Sequence, residues 1–340
     1  MQEARLYEKL DGQRVKCHLC AHRCTIAKGK RGVCEVRENR QGVLYSLVYG
    51  QSISQAIDPV EKKPLFHFYP GSTAYSFATV GCNFHCAFCQ NWQISQQAAD
   101  EFRLVDQPAS PERIAASARH YGCRSIAYTY TEPTIFFEYA YDTAVKASAL
   151  GIKNIYVTNG YMTEEMLDAF KPHLHAANVD LKAFRDEFYR QVCGARLQPV
   201  LDSLKAMKKR GIWVEITTLI VPNQNDSEAE LKELAKFIAE EVGAETPWHV
   251  SRFHPDYQML DGHATPLATL HRAREIGFEA GLRYVYEGNV LGEGENTYCY
   301  HCHNLLIERH GFGVRQNRIL PGSKCPTCGT VVDGVGLSGQ

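Results

Sequence analysis

Short β-branched and aromatic runs alternate with longer amphipathic runs from about residue 75 onward. The first kind of run is typical of buried strands, and the second is typical of surface helices. The predicted strands cover residues 75–80, 125–131, 153–159, 176–182, 213–221 and 247–253, with a seventh candidate at 283–288. The predicted helices cover residues 111–121, 134–150, 163–171, 199–210, 228–242 and 266–281. Repeated strand–helix units indicate a parallel sheet, and about six units predict an α/β fold built as a partial (β/α)6-type TIM barrel.

Two predicted helices begin at capping signals. Ser110 precedes Pro111, which places a capping hydroxyl before a first-turn proline. Ser227 and Glu230 have the spacing of a capping box. These signals fix the expected starts of the first and fifth helices.

Composition divides the chain into three predicted regions. Residues 1–65 form a cysteine-rich N-terminal metal-binding region, residues 66–290 form the barrel, and residues 291–340 form a zinc-ribbon-like C-terminal region. The net charge of −1 creates no global field that would attract nucleic acid or a membrane surface. Because no apolar run reaches the roughly 18 residues that a spanning helix needs, we expect no membrane partner.

Cysteine is the anomaly in the composition. The chain has 13 cysteines, and most of them fall in three clusters with C-x2-C or C-x3-C spacing. Such spacing places thiolates on one small loop, which suits a metal better than a disulfide network. Metal-binding thiols in turn indicate a reducing, cytoplasmic compartment.

The central cluster lies in TVGCNFHCAFCQNW, directly after the first predicted barrel strand, and contains Cys82, Cys86 and Cys89. Three thiolates can hold three irons of a [4Fe–4S] cubane and leave the fourth iron open to a chelating small molecule. Phe88 suits an apolar platform beside that molecule. The alternative is a structural zinc site with His85 as its fourth ligand. Since His85 competes sterically inside the same short loop, the pattern favours the open cluster.

The C-x3-C-x-Φ-C loop is the signature of the radical S-adenosylmethionine (SAM) superfamily, and the chain resembles the branch of that superfamily that contains pyruvate formate-lyase activating enzymes. Matching motifs end successive predicted strands, where barrel active sites form. They are Thr131 to Thr134 (TEPT), Thr158 to Gly160 (TNG), Asp180 to Lys182 (DLK), Val221 and Pro222 with Asn225 and Asp226, and Phe253 with His254. Val157 stands where the branch often has an aspartate that helps to bind a monovalent cation, so no such cation is predicted.

The resemblance implies an oxidoreductase-like radical SAM enzyme whose cluster cleaves SAM reductively to a 5′-deoxyadenosyl radical, which abstracts hydrogen from a substrate. The residues that it implies in SAM binding are Phe88, Thr131, Glu132, Thr158, Asn159, Asp180, Lys182 and His254. It further implies a low-potential electron donor such as flavodoxin or ferredoxin. An activase-like reaction on a protein is the favoured chemistry, and modification of a small metabolite or peptide is the alternative.

The chemistry of individual residues agrees with these roles. Glu132 can accept hydrogen bonds from an ammonium group, and Lys182 can pair with a carboxylate. Taken singly, Glu132 suits a helix cap equally well. Lys182 suits a solvated charge at a strand end, and His254 suits a loop histidine with its hydrogen bonds satisfied. The order and placement of the motifs favour the functional roles.

The C-terminal cysteines form two C-x2-C knuckles, which together predict a four-sulfur metal site. These residues are Cys299, Cys302, Cys325 and Cys328. Structural zinc is favoured over an auxiliary iron–sulfur cluster. The competing function is that of a non-enzymatic zinc ribbon that binds nucleic acid or protein. The basic set available for it is modest, comprising Arg309, His310, Arg315, Arg318 and Lys324, so nucleic acid is a disfavoured partner.

The N-terminal cysteines are spaced less regularly, and His18 or His22 could replace one thiolate. The cluster comprises Cys17, Cys20, Cys24 and Cys34. Zinc and an auxiliary iron–sulfur cluster are equally compatible with this pattern. Taken whole, the cysteine spacing of all three regions resembles that of the AmmeMemoRadiSam system radical SAM enzymes. Cys123 and Cys193 stand outside the clusters. We expect Cys123 to be a free core cysteine. Cys193 follows the DLK motif and could face the active site, but we expect it to lie away from the site.

Overall fold

The N-terminal region of the structure, a computed structural model that describes residues 1–96 and 108–338, consists of short strands. These strands are β1 (Gln2–Glu3), β2 (Tyr7–Leu10), β3 (Arg14–Cys17), β4 (Thr25–Ile26), β5 (Arg37–Arg40) and β6 (Val43–Ser46). They pair antiparallel in two three-stranded sheets, with the orders β1-β6-β5 and β2-β3-β4.

A central sheet follows, and within the described ranges it has eight strands. They are β7 (Ser54–Pro59), β8 (Thr73–Ala78), β9 (Ser125–Tyr128), β10 (Lys153–Thr158), β11 (Ala176–Asp180), β12 (Trp213–Ile220), β13 (Trp248–Arg252) and β14 (Val285–Gly288). Spatial order follows chain order, with β8 to β14 parallel and β7 antiparallel to β8. The predicted partial barrel is confirmed, and the seventh strand candidate is β14.

Helices cover the outside of the sheet and connect its parallel strands. They are α1 (Trp92–Ser95), α2 (Pro111–His120), α3 (Phe137–Ala149), α4 (Glu164–Phe170), α5 (Asp186–Phe188), α6 (Leu197–Lys209), α7 (Glu228–Phe237) and α8 (Leu267–Glu279). Two π-helical turns, Tyr189–Cys193 and Ile238–Gly243, extend α5 and α7. Every helix in the described ranges is too short or too polar to cross a lipid bilayer.

The two capping predictions have different outcomes. Ser110 caps α2, because its Oγ accepts from a backbone N–H three residues later at 3.2 Å. Ser227 caps α7 in the same way at 3.4 Å. The second half of the predicted capping box is wrong, because the Glu230 carboxylate instead accepts from the Phe184 N–H at 2.8 Å and from Arg185 Nε at 2.6 Å. Glu230 therefore ties the loop after β11 to α7.

A buried ion pair joins the N-terminal region to the barrel. Arg37, on β5, donates through both terminal nitrogens to the Glu138 carboxylate on α3, at 2.8 and 2.9 Å. Both side chains are buried, at 2% and 0% exposure. Because a buried charge that loses its partner is strongly destabilising, this pair fixes the N-terminal region against α3.

The C-terminal region packs at the opposite end of the barrel. Its sheet has the order β15-β16-β17, formed by β15 (Thr297–Tyr298), β16 (Leu305–His310) and β17 (Gly313–Asn317). Arg309 of β16 is buried and donates to the Phe66 carbonyl at 2.9 Å. The Phe66 N–H in turn donates to the Glu215 carboxylate, near the start of β12, at 2.9 Å. The C-terminal strands are therefore anchored at the amino-terminal ends of the barrel strands.

Candidate active site

The three central cysteines lie on a loop beyond the carboxyl end of β8. The Cys89 N–H donates to the Cys86 carbonyl at 3.1 Å, which closes a tight turn. The His85 N–H donates to the Cys193 carbonyl at 2.9 Å, so the loop is also fixed to the π-helical turn after α5. The short loop is therefore held from two sides at the mouth of the barrel.

Gly81 lets this loop approach the N-terminal region. Its φ of +92° lies in the left-handed range that favours glycine. A Cβ on Gly81 would lie 2.9 Å from the Cys34 carbonyl oxygen and 2.6 Å from Val36 Cγ1. The backbone before Cys82 is thus in close contact with the segment that carries Cys34.

The three thiols form a donor set that fits an iron–sulfur cluster. Burial raises the pKa of Cys82, and the nearby charges of Glu132, Cys86 and Cys89 raise it further. Burial also raises the pKa of Cys89. The pKa of Cys86 is lowered instead, first because Cys193 donates a hydrogen bond to it. The sulfurs are close enough to influence one another electrostatically, and soft thiolates are the ligands that iron–sulfur clusters take.

A fixed cation lies beside Cys86. Lys182 Nζ donates to Asp180 Oδ2 at 3.0 Å and lies 5.7 Å from the centre of the Phe88 ring. Burial alone lowers the pKa of Lys182, but the negative charges of Asp180 and Cys86 outweigh burial and raise it. The ammonium group is therefore placed to pair with an anionic group of a bound molecule. Lys182, Asp180 and Phe88 are brought together as the sequence predicted.

The backbone of Lys182 is clamped by the next loop along the sheet. Asn225 Nδ2 donates to the Lys182 carbonyl at 2.6 Å, while Asn225 Oδ1 accepts from the Val221 N–H at 2.6 Å. On the other side, the Lys182 N–H donates to the Tyr189 hydroxyl at 3.0 Å. These bonds couple the ends of β11 and β12, so they fix the position from which the Lys182 side chain extends.

Glu132 ties together the ends of β9 and β10. Its carboxylate accepts from the Thr134 N–H and hydroxyl at 3.0 and 2.5 Å, from the Thr158 hydroxyl at 2.7 Å, and from the Asn159 N–H at 2.8 Å. Oε1 accepts three of these bonds and Oε2 accepts one, all from donors of the protein itself. The geometry therefore supports the helix-cap interpretation, with Glu132 capping the turn Pro133–Phe136. Direct contact between Glu132 and SAM stays a prediction.

The remaining predicted SAM ligands fall into two groups. Thr131 Oγ1 donates to the Thr79 carbonyl at 2.8 Å, and Asn159 Nδ2 donates to Asn83 Oδ1 at 2.7 Å, so both side chains hold the central loop. His254 lies exposed beyond the end of β13. The role of each of these residues toward SAM stays a prediction.

Two residues lie at the candidate site although the sequence did not predict them there. Cys193, expected away from the site, is fully buried and lies in hydrogen-bonding contact with Cys86. It ends a π-helical turn, a feature frequent at functional sites. The one available signal was a cysteine directly before Gly194 in the segment that follows the DLK motif. Asn83 carried no signal beyond its place between Cys82 and Cys86.

His85, considered above as a fourth zinc ligand, is exposed on the central loop. Its Nδ1 lies 3.0 Å from Gln96 Oε1, at hydrogen-bonding distance. The imidazole is therefore engaged at the loop surface.

The C-terminal cysteines form a compact four-sulfur site. Sγ–Sγ distances are 3.6 Å for Cys299 and Cys328 and 3.7 Å for Cys302 and Cys325. All four sulfurs lie within 4.8 Å of one another. Thiolates about 2.3 Å from one tetrahedral ion are about 3.8 Å apart, so the site fits a single metal ion. A hydrogen bond with the Thr330 side chain lowers the pKa of Cys328 to about 6, which favours the thiolate.

Two of the five basic residues of this region make contacts within the protein. Arg309 is buried beneath the C-terminal strands, with its Nε 3.7 Å from Glu61. Arg318 donates to Gln316 Oε1 at 2.6 Å and lies 3.8 Å from Glu308. The structure therefore weakens the basic set on which the nucleic-acid alternative depended.

The N-terminal cysteines line one shared pocket of about 20 Å³. His22 also lines this pocket, and its Nε2 hydrogen-bonds with the Asn83 carbonyl at 2.7 Å. His18 instead bonds Arg23 Nη1 at 2.8 Å and lies 3.5 Å from Glu8.

Comparison with known proteins agrees with the geometry. Residues 77–238 match the family model of the Radical SAM superfamily. An uncharacterized protein of Methanocaldococcus jannaschii is 50% identical over 335 residues, covering 98% of this chain and 99% of that protein. Another protein of the same organism, named for glycyl-radical enzyme activation, is 26% identical over 215 residues, covering 61% of this chain and 78% of that protein.

A solved structure supports the fold assignment. A radical SAM methyltransferase from Sphaerobacter thermophilus superimposes with a TM-score of 0.51 at 16% identity, over 66% of this chain and 68% of that one. The family match and the cysteine loop show that the chain carries a radical SAM domain over residues 77–238 and is an enzyme. The superfamily prediction is confirmed, and the finer resemblance to the AmmeMemoRadiSam enzymes stays a prediction.

Proposed function

We propose that Cys82, Cys86 and Cys89 hold a [4Fe–4S] cluster, and that the enzyme binds SAM beside it and cleaves SAM by one-electron reduction. The observation that carries the proposal is the fixed Lys182 cation beside Cys86, at the mouth of the barrel. When bound, the cluster and SAM supply a 5′-deoxyadenosyl radical that abstracts hydrogen from the substrate.

The residues of the chain have separate roles in this proposal. Lys182 orients the carboxylate of the methionyl group, while Asp180 holds the ammonium in place. Phe88 offers an apolar surface that excludes water from the same space. Glu132 acts as a positioning residue, because it binds the backbone and side chains that border the central loop.

The proposed substrate is a protein or peptide, in an activase-like reaction. The support is the relative named for glycyl-radical enzyme activation. A low-potential flavodoxin or ferredoxin would supply the electron. The metal-binding spacing of the three cysteine clusters supports the cytoplasm as the compartment. We also assign a structural zinc ion to the C-terminal site, on the basis of its sulfur–sulfur distances.

The cleavage step is tested with anaerobically reconstituted protein, dithionite and SAM, with 5′-deoxyadenosine measured by mass spectrometry. We expect product from the wild type and from a Cys123→Ser control, and none from Cys86→Ala. Absence of product from wild-type protein with an intact cluster would overturn the proposal.

Lys182→Gln tests the proposed SAM contact. Losing a charge-assisted bond should lower kcat/KM for SAM about 10- to 100-fold, and Lys182→Arg should recover part of the loss. An unchanged KM for SAM in Lys182→Gln would remove Lys182 from the binding role.

The substrate class is tested with a deuterated extract of cells, divided by dialysis into macromolecules and small molecules. We expect deuterium to enter 5′-deoxyadenosine when the macromolecular fraction is added to the enzyme and SAM, with Cys86→Ala as the control. Deuterium transfer from the small-molecule fraction alone would favour the metabolite alternative.

A further inference from the structure

We propose that the N-terminal pocket lined by Cys17, Cys20, Cys24 and Cys34 binds a second iron–sulfur cluster, and not a single zinc ion. The inference goes beyond the proposed function. It also does not depend on SAM cleavage, because it concerns a separate set of thiols.

The backbone brings the four cysteines around one space. Cys17 ends β3, and its N–H donates to the Cys24 carbonyl at 2.9 Å. Cys20 lies between them in a turn closed by a bond from the Arg23 N–H to the Cys20 carbonyl at 3.0 Å. Cys34 approaches from the following loop, and all four cysteines line the same pocket. Residues spread over 18 positions of sequence thus converge on one cavity.

The thiols of this pocket lie largely out of solvent. Cys17 and Cys34 are buried, and Cys20 and Cys24 are partly buried. Thiolates in such a site need a compensating positive group.

The contrast with the C-terminal site distinguishes the two kinds of metal centre. Among the residues that the structure describes, the C-terminal cysteines are the one set whose sulfurs all lie within 4.8 Å of one another, as a single ion requires. The N-terminal cysteines line one pocket, yet within the same described residues their four sulfurs do not form so compact a set. An iron–sulfur cluster places several irons and sulfides between its four cysteine ligands, so its ligand sulfurs lie farther apart than those around a single ion.

The surroundings of the pocket also suit an anionic cluster. Arg37 lines the pocket and brings a positive charge to it. The Glu138 carboxylate fixes that guanidinium in place. Asn83 lines the same pocket and lies next to Cys82 in the chain, so the proposed second cluster adjoins the loop of the first.

The test uses the full-length protein, purified without oxygen and assayed for iron, acid-labile sulfide and zinc, with Mössbauer spectra. A variant with Cys82, Cys86 and Cys89 all changed to Ala lacks the central ligands. We expect it to retain acid-labile sulfide and roughly two to four irons per chain, depending on cluster type. Adding Cys17→Ser and Cys34→Ser to that variant should remove this iron, while Cys123→Ser should not.

The retained C-terminal metal serves as the internal standard for folded protein in each variant. A triple-alanine variant that carries no acid-labile sulfide, and two zinc ions per chain in place of one, would overturn the proposal. SAM cleavage by the wild type is measured separately, so failure of the proposed enzymatic function and failure of the second cluster are distinguishable.

Discussion

The N-terminal and C-terminal regions each present four cysteines, yet they arrange them differently. At the C-terminus two knuckles bring sulfurs to 3.6 and 3.7 Å of each other. At the N-terminus the four cysteines line one pocket, but their sulfurs do not all lie within 4.8 Å of one another as the C-terminal sulfurs do. The C-terminal site is compact and anchored at the amino-terminal ends of the barrel strands. The N-terminal pocket adjoins Asn83, on the loop of the central cysteines.

This difference shows that the number of thiols does not determine the metal centre. Two C-x2-C knuckles converge on one point, because each knuckle presents both of its sulfurs on a tight turn. The N-terminal thiols come from a strand end, a turn and a later loop, so they come together less tightly. The two regions also differ in position. The N-terminal region contacts the loop of the candidate active site, whereas the C-terminal region packs at the far end of the barrel.

The largest expected effect comes from removing the C-terminal metal. Cys325→Ser should lose one metal ion per chain and unfold β15 to β17, because binding energy of structural zinc, about 10 kcal/mol or more, is also folding energy. Zinc analysis and hydrogen exchange of these strands measure the result. The N-terminal region should keep its protection from exchange. Strands that stay protected without the metal would contradict a structural role.

A smaller effect is expected at the ion pair that fixes the N-terminal region. Arg37→Met leaves Glu138 charged and buried, so it should lower the free energy of unfolding by about 3–5 kcal/mol in urea denaturation. Combining it with Glu138→Leu should restore much of the loss, because no buried charge is then left unpaired. A double variant as unstable as the single variant would show that the pair is not the stabilising contact.

The smallest expected effect is a change of the free energy of unfolding with pH, caused by His67 at the far end of the barrel. Burial lowers the pKa of His67 to about 4, and its neutral ring donates from Nδ1 to the Asp333 carbonyl at 2.6 Å. Since the folded-state pKa lies below the ordinary value of about 6.5, its contribution is present above pH 6.5 and is lost as the pH falls toward 4. We expect this loss to reach about 3 kcal/mol in the free energy of unfolding.

His67→Gln should reduce the dependence of unfolding free energy on pH between 7 and 4, whereas the exposed His120→Gln should leave it unchanged. Equal slopes for wild type and His67→Gln would place the acid sensitivity elsewhere.

Hydrophobic periodicity predicted the parallel strands and their helices, because each unit carries a complete pattern of its own. It missed β7, whose sequence SQAIDP has little strand character. This strand forms because it pairs along the whole of β8 at the edge of the sheet. The short N-terminal strands were equally beyond reach, since two to four residues carry too little periodicity to identify them.

The sequence predicted those parts of the candidate site that lie within a single motif. Asp180 and Lys182 meet as expected, because they are two residues apart at one strand end. The hydrogen bonds that Glu132 accepts from Thr158 and Asn159 could not be predicted, since these partners come from the next strand. Contacts that depend on two separate loops are set by tertiary packing and not by local sequence.

X-ray absorption at the zinc and iron edges of anaerobically purified, full-length protein tests most directly whether the two four-cysteine regions hold different metal centres. We expect a zinc edge with four sulfur neighbours at about 2.3 Å. In the variant that lacks Cys82, Cys86 and Cys89, we expect an iron edge that still shows iron neighbours as well as sulfur. Zinc in both regions, with iron lost together with the central cysteines, would contradict the distinction drawn between them.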